Sequence, residues 1–230
     1  MRRLAVWDID GTLVDSRRAI TDAVRDAWIA LDLEPPSYEQ SRRVVGLNLL
    51  AAVQTLAPTL SPDRYPELAV AYKDAFLRNR EAGLHEPLYE GAFETLRLLK
   101  DDGWLLGVAT GKARRGLEHI LTHHGVRDWF DAAFCADDGP GKPDPHMLLC
   151  NLRTLDVAPQ HAVMIGDTSF DMAMARAADC YAVGVSWGFH TADEVEEGGA
   201  HELAHDFPTL LNALTRWRGA GPQQQQQQQQ

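Results

Sequence analysis

Three aspartates, Asp8, Asp10 and Asp15, lie within eight positions directly after the short apolar run Leu4–Trp7. Carboxylates repel one another, so such a cluster costs free energy unless another group compensates the charge. A solvated acidic loop is the commoner explanation for an acidic cluster taken alone. The alternative is a divalent cation, because Mg2+ prefers oxygen ligands and makes several neighbouring carboxylates tolerable. The rest of the chain decides between these two interpretations.

Further polar or glycine-containing turns follow apolar runs that resemble the first one. The turns read TGK, ADDGPGKPDP and GDTSFD, and segments with helical spacing, such as 91–100, lie between them. Strands that alternate with helices predict an α/β fold with a doubly wound parallel sheet and right-handed crossovers. The expected strands are Leu4–Trp7, Trp104–Ala109, Ala132–Cys135, Ala162–Ile165 and Tyr181–Val185.

Residues 17–83 interrupt this alternation and are called the helical insertion below. Their apolar residues recur at helical spacing, no strand-like run is present, and prolines separate the segments. We therefore expect residues 1–16 and 84–218 to form the α/β catalytic core around an all-α insertion at 17–83. Residues 219–230 are a low-complexity tail ending in eight glutamines, which we do not expect to be part of the fold.

The polar turns should meet in space, because ligands of an open parallel sheet bind at the carboxyl ends of its strands. Such a site suits phosphoryl transfer. An aspartate can attack phosphorus and form an aspartyl-phosphate, while a metal ion and a lysine neutralise the charge of the transferring oxygens. A second carboxylate two residues later can protonate the leaving alkoxide and then activate water. The residues expected there are Asp8, Asp10, Thr12, Thr110, Lys112, Lys142, Asp167 and Asp171.

The segments DIDGTLVDS, ATGK, GKPDP and GDTSFDM, in this order, strongly resemble the four motifs of the haloacid dehalogenase-like (HAD) phosphohydrolases. The helical insertion resembles the smaller type of cap domain found in the phosphoglycolate phosphatase-like branch of that family. The resemblance extends from about Leu4 to Trp217, which is nearly the whole chain. It implies a Rossmann-like core, a helical cap and phosphatase activity.

The resemblance also implies roles for individual residues. Asp8 would be the nucleophile and a ligand of Mg2+. Asp10 would be the general acid and base, and its backbone carbonyl would bind the same ion. Asp167 would be a direct metal ligand.

Phosphate binding and support are implied for five more positions. Thr110, Gly111 and Lys142 would hold the phosphoryl group. Asp171 would bind the metal through water or orient Lys142. Thr12 could equally be an ordinary turn residue.

Other polar residues near these motifs are less clearly placed by the sequence. Lys112 is expected to be exposed rather than to bind a ligand. Arg42, Arg43, Gly46 and Asn48 lie at a junction between helices of the insertion, which could face the active site. A surface position is at least as well supported for these four residues.

The leading functional interpretation is a Mg2+-dependent phosphatase for a small phosphomonoester, with phosphoglycolate as the first candidate. A sugar-phosphate mutase and an inorganic pyrophosphatase of the same family remain alternatives. A haloacid dehalogenase would not need Asp10 or the metal aspartates. A non-catalytic phosphate-binding module is the alternative from outside enzymology, and the complete set of motif residues argues against it.

Charge and composition restrict the partners. The chain of 230 residues has 33 acidic and 22 basic residues, a net charge of −11 that disfavours nucleic-acid binding. No stretch approaches the roughly 20 apolar residues of a membrane span, and the N-terminus has no signal-peptide pattern. Three unpaired cysteines, without a CxxC motif, suggest a reduced, cytoplasmic protein. The oligomeric state is not indicated by the sequence.

Overall fold

The computed structural model describes residues 2–217, so the expected tail at 219–230 lies outside the described residues. Six parallel strands form one sheet in the order β3-β2-β1-β4-β5-β6. The predicted doubly wound sheet is confirmed, and all five expected strands occur within one residue of their predicted ends. The sixth strand has only three residues and was missed. The strands are β1 (Leu4–Trp7), β2 (Leu105–Thr110), β3 (Ala132–Cys135), β4 (Ala162–Gly166), β5 (Tyr181–Val185) and β6 (Glu202–Ala204).

Side chains of a strand alternate between the two faces of the sheet. Both faces carry apolar side chains here, and helices cover each face. The helices are α1 (Arg17–Ala30), α2 (Tyr38–Arg42), α3 (Leu49–Leu56), α4 (Tyr65–Glu81), α5 (Ala92–Asp101), α6 (Arg114–His123), α7 (His146–Leu155), α8 (Ser169–Ala177), α9 (Ala192–Glu197) and α10 (Phe207–Arg216). Ala5 and Trp7 pack with α5, α6 and α10 on one face, whereas Leu4 and Val6 pack with α7, α8 and α9 on the other.

The strand order reverses between β1 and β4, and this reversal places the site. Chain connections lead from β1 to β2 on one side of β1, while β4 begins the other half of the sheet. Trp7 at the end of β1 is in register with Ile165 of β4. The residues that follow these strands, Asp8 and Asp167, therefore emerge side by side at the point where ligands bind in such sheets.

Four of the helices, α1 to α4, belong to the helical insertion. Three of them, α1, α3 and α4, form a separate apolar cluster around Val24, Trp28 and Val53. Helix α1 packs along α4, and the side chain of Asn48 accepts a hydrogen bond from the first turn of α3. Of the helices between residues 2 and 217, none is both long and apolar enough to cross a membrane.

Candidate active site

The carboxylate of Asp8 lies in a buried ion pair at the end of β1. Lys142 Nζ is 2.8 Å from Asp8 Oδ1 and 2.6 Å from Asp171 Oδ1, and all three side chains are at most 2% exposed. Burial raises the pKa of Asp8 to about 6, although the Lys142 charge opposes this change. Burial also disfavours the charge of Lys142, but the carboxylates of Asp171 and Asp8 outweigh it and raise the pKa of that lysine. Lys142 is therefore a permanently charged partner for the nucleophile candidate.

Asp167 lies beside this pair and is oriented by two donors. Thr12 Oγ1 donates to Asp167 Oδ1 at 2.8 Å, and the backbone N–H of Phe189 donates to Oδ2 at 2.8 Å. Thr12 thus has the supporting position that the sequence left open. Burial, followed by the negative charges of Asp8 and Asp171, raises the pKa of Asp167 well above its usual range. Among the described residues, no basic side chain forms an ion pair with Asp167 that would offset these effects.

The donor set fits a hard divalent cation. Carboxylate oxygens of Asp8, Asp167 and Asp171 all lie within 4.8 Å of one another, and all three residues are buried. Lys142 is ion-paired with Asp8 and Asp171, so within this cluster one ammonium faces three carboxyl groups. Oxygen donors of this kind are the ligands that Mg2+ prefers.

Asp171 is fixed by the start of α8. The backbone N–H of Thr168 donates to Asp171 Oδ2 at 3.1 Å, and the hydroxyl of Thr168 donates to the same oxygen at 2.6 Å. This arrangement is a capping box, which satisfies free N–H groups at a helix start. It leaves Oδ1 facing Lys142. Asp171 Oδ1 thus contacts the ammonium of Lys142, an arrangement that would let Asp171 orient the lysine, one of the two roles expected for it.

Asp10 forms a second ion pair, largely but not fully buried, with Lys112. The Lys112 ammonium is 2.7 and 3.0 Å from the two carboxylate oxygens of Asp10, and 2.7 Å from Glu86 Oε1. The expectation that Lys112 is exposed was wrong, because its side chain is only 8% exposed. Burial disfavours its charge, yet Asp10 and Glu86 together raise the pKa of Lys112. Two carboxylates thus compensate the burial of one lysine.

Thr110 and Gly111 lie at the end of β2 and line the same cavity as Asp8 and Asp10. The hydroxyl of Thr110 accepts a hydrogen bond from the Lys112 backbone at 3.3 Å. A Cβ atom at Gly111 would lie 2.7 Å from the backbone oxygen of Gly46. Only glycine lets the helical insertion approach β2 so closely.

The four residues with uncertain positions divide into two pairs. Gly46 and Asn48 line the cavity that contains Asp8. Arg42 is buried and paired with Glu194 of α9, while Arg43 is exposed. The surface interpretation therefore fails for Arg42 and holds for Arg43.

Sequence reasoning missed three residues of the site. Glu86 lies in the loop between α4 and α5, where no motif points to it. Gly188 and Phe189 follow β5, and a Cβ atom at Gly188 would lie 2.2 Å from Asp167 Oδ2. The segment SWGFH follows the fifth apolar run, so the rule applied to the first four runs would have found these two residues.

Comparison with known sequences agrees with this geometry. Residues 5–185 match the family model of the haloacid dehalogenase-like hydrolases. A Dickeya dadantii protein named probable phosphatase IndB is 32% identical over 218 residues, which cover 93% of this chain and 94% of that protein. A Vibrio cholerae phosphoglycolate phosphatase is 28% identical over 218 residues, or 92% of this chain and 96% of the relative.

Solved structures share the fold. A haloacid dehalogenase-like family protein from Streptococcus pneumoniae superimposes with a TM-score of 0.81 at 23% identity, over 93% of this chain and 98% of its own. A hydrolase from Pseudomonas syringae gives a TM-score of 0.83 at 24% identity, over 93% and 98%. The likeness covers the helical insertion as well as the sheet.

Proposed function

The chain belongs to the haloacid dehalogenase-like hydrolase family and is a phosphatase, and we propose that it hydrolyses a small phosphomonoester with Mg2+ through an aspartyl-phosphate. The observation that carries this proposal is the position of Asp8, which lies 2.8 Å from the ammonium of Lys142 and within 4.8 Å of the Asp167 carboxylate. A carboxylate that lies between a cationic side chain and further carboxylates able to bind a metal ion is suited to attack phosphorus as a nucleophile.

In the first step, a carboxylate oxygen of Asp8 forms a bond to phosphorus, and the bond from phosphorus to the alcohol oxygen breaks. Lys142, Thr110 and the backbone at Gly111 hold the phosphoryl oxygens as the charge shifts. Asp10 donates a proton to the leaving alkoxide, so the alcohol departs as a neutral molecule.

In the second step, Asp10 takes a proton from a water molecule, whose oxygen bonds to phosphorus while the bond to Asp8 breaks. This returns both aspartates to their initial protonation states and releases phosphate. Asp8, Asp167 and the Asp10 backbone carbonyl would hold Mg2+, with Asp171 in support. The ion would supply positive charge to the phosphoryl oxygens.

We also propose that residues 17–83 act as a cap over a catalytic core formed by 1–16 and 84–218. The support is a single cavity bounded by Asp8 and Asp10 on one side and by helices of the insertion on the other. A closed cap would exclude bulk water and protect the reaction from side processes.

The three cysteines are all free thiols, so we assign this activity to the reducing cytoplasm.

Phosphoglycolate is the first candidate substrate, because relatives such as the Vibrio cholerae protein carry that name. The test is steady phosphate release from phosphoglycolate with Mg2+. Asp8→Asn should reduce kcat to below about a thousandth, since it removes the nucleophile. Asp74→Asn, an exposed acid on α4, is the matched control and should keep full activity.

Three results would contradict the proposal. Activity that survives Asp8→Asn would exclude the aspartyl-phosphate. Phosphate transfer between sugar phosphates without net release would indicate a mutase. Faster hydrolysis of pyrophosphate than of every ester would indicate a pyrophosphatase.

A further inference from the structure

One continuous cavity of about 580 Å3 runs from the candidate active site into the helical insertion. Asp8, Asp10 and Thr110 bound it on the side of the sheet. On the other side its walls come from three helices, α1, α3 and α4. The side chains there are mainly apolar and include Val24, Trp28, Val53, Leu56, Tyr72 and Phe76.

The apolar wall begins next to the proposed general acid. Lys112 Nζ lies 5.3 Å from the centroid of the Phe76 ring and 2.7 Å from Asp10 Oδ1. Asp10 must face the oxygen that leaves phosphorus, because it protonates that oxygen. The alcohol portion of a bound ester therefore extends from Asp10 towards Phe76.

The wall is continuous with the apolar core of the insertion. Val24, Trp28 and Val53 are buried in that core, whereas Leu56, Tyr72 and Phe76 are only partly buried and line the cavity. Side chains that border a void lose dispersion contacts, and a ligand that fills the void restores them. Cavities of about 300–1,000 Å3 are typical for ligands of drug-like size. The glycolate group, with its two carbons, would leave most of this cavity unfilled.

The charges around Lys112 do not favour the binding of a substrate carboxylate at that residue. The Lys112 ammonium already contacts Asp10 and Glu86, so an added anion there would meet two carboxylates and one ammonium. Arg80 also lines the cavity, and its buried Nη1 donates no hydrogen bond to any described residue. Arg80 can therefore bind one polar or anionic atom of the alcohol portion. Two exposed cations, Lys73 and Arg115, also line the cavity, so the test below compares apolar with charged esters.

From these contacts we infer that the preferred substrates are phosphomonoesters of apolar alcohols, alkyl or aryl, that are larger than glycolate. The phosphoryl group binds at Asp8 and Lys142, and the apolar body fills the space between α1, α3 and α4. This inference rests on the proposed phosphatase function and specifies its substrate class.

The test is a series of straight-chain alkyl phosphates, from ethyl to octyl, measured for kcat/KM with Mg2+ beside phosphoglycolate. Their leaving groups are nearly equally basic, so differences report burial of the chain. We expect kcat/KM to rise about fourfold per added methylene until the cavity is filled, and to exceed the value for phosphoglycolate. Ala52→Phe should flatten this rise, because Ala52 lines the cavity and is only partly buried, so the larger side chain takes up space there. Val70→Phe is the matched control, because Val70 lies on α4 outside the cavity and is 57% exposed.

A flat series in which ethyl phosphate is hydrolysed would overturn the inference and leave the phosphatase proposal intact. The inference would also be overturned, and the phosphatase proposal kept, if phosphoglycolate were the best substrate and Arg80→Met removed its advantage over the alkyl phosphates. The cavity would then select substrates by charge. If Ala52→Phe does not fold, calorimetric binding of ethyl and octyl phosphate to Asp8→Asn provides the comparison, and equal affinities would overturn the inference. No phosphate release from any ester, phosphoglycolate included, would overturn both proposals.

Discussion

Arg42 of the helical insertion forms an ion pair with Glu194 of α9, with 2.7 Å between Nη1 and Oε2. The same guanidinium donates to the backbone oxygen of Phe189 at 3.2 Å. The N–H of Phe189 in turn donates to Asp167. One buried arginine thus joins the insertion to the loop that orients a candidate metal ligand.

We predict that Glu194→Gln lowers the free energy of unfolding by about 1–2 kcal/mol at pH 7, because it weakens a charged hydrogen bond that is partly exposed. The hydrogen bond from Arg42 lowers the pKa of Glu194 from 4.5 to about 2. A lowered carboxyl pKa stabilises the folded state fully above the unfolded value, and this stabilisation is lost as the pH falls through the folded value. The difference between wild type and Glu194→Gln should therefore shrink between pH 4.5 and pH 2 in denaturant titrations.

Glu94→Gln is the matched control for this pair. Glu94 contacts Arg97 at 2.7 Å on the open surface of α5, where solvent screens the interaction. It should change stability much less than Glu194→Gln. Equal losses in the two variants, or a loss at position 194 that does not vary with pH, would show that the Arg42 pair does not stabilise the fold.

We predict that Glu86→Gln slows the hydrolysis of esters with basic leaving groups by about tenfold or more. Lys112 is shared between Asp10 and Glu86, each at 2.7 Å. Without the second carboxylate, Asp10 is the one of these two partners that remains to Lys112, which holds it more tightly, so the Asp10 side chain is less free to turn towards the leaving oxygen. Hydrolysis of 4-nitrophenyl phosphate, whose leaving group needs no proton, should change little.

Glu90→Gln, an exposed acid near Glu86 in sequence, should leave both rates unchanged. An equal decrease for the two classes of ester in Glu86→Gln would point to a general loss of structure. That result would remove Glu86 from the positioning of Asp10.

The sheet and most of the site were predictable from the sequence, because they follow from local patterns. Short apolar runs mark β1 to β5, and in a parallel sheet the residues after such runs share one edge. This rule alone brings Asp8, Thr110, Lys142 and Asp167 together, and the structure places all four at that edge. The strand β6 escaped because Glu202–Ala204 is too short to show a period.

The ion pairs were not predictable, since they join segments that no local pattern connects. Glu86 reaches Lys112 from a loop, and Arg42 reaches Glu194 across 152 positions. The sequence around a lysine that follows a strand does not show whether its side chain is buried between two carboxylates or exposed to solvent. The energy of burying Lys112 depends on these distant partners, so its exposure was predicted wrongly.

We predict that Gly188→Ala weakens Mg2+ binding by about tenfold or more, the range found when groups that orient metal ligands are changed. The new methyl group would lie 2.2 Å from Asp167 Oδ2, so the carboxylate must move. Calorimetric titration with Mg2+ measures this effect without reference to turnover.

Gly83→Ala is the control for the loss of a glycine. Its φ of +94° strains any side chain, but nothing lies within 4 Å of the added carbon. This variant should lose stability and keep its Mg2+ affinity. If Gly188→Ala also keeps its affinity, Asp167 does not depend on the space that Gly188 provides.

We predict that Mg2+ stabilises the folded protein and that its removal lowers the free energy of unfolding. After treatment with EDTA, addition of Mg2+ at a concentration 100 times Kd should raise the free energy of unfolding by about 2.7 kcal/mol, which is measured as a rise in Tm. The physical reason is the cluster of Asp8, Asp167 and Asp171, three buried carboxyl groups of which Asp8 and Asp171 contact the ammonium of Lys142. Asp167→Asn should lose most of this gain, whereas Asp74→Asn should keep it. A gain that is equal in both variants would mean that the ion binds elsewhere, because Asp74 is exposed on α4 and Asp167 is buried in the cluster.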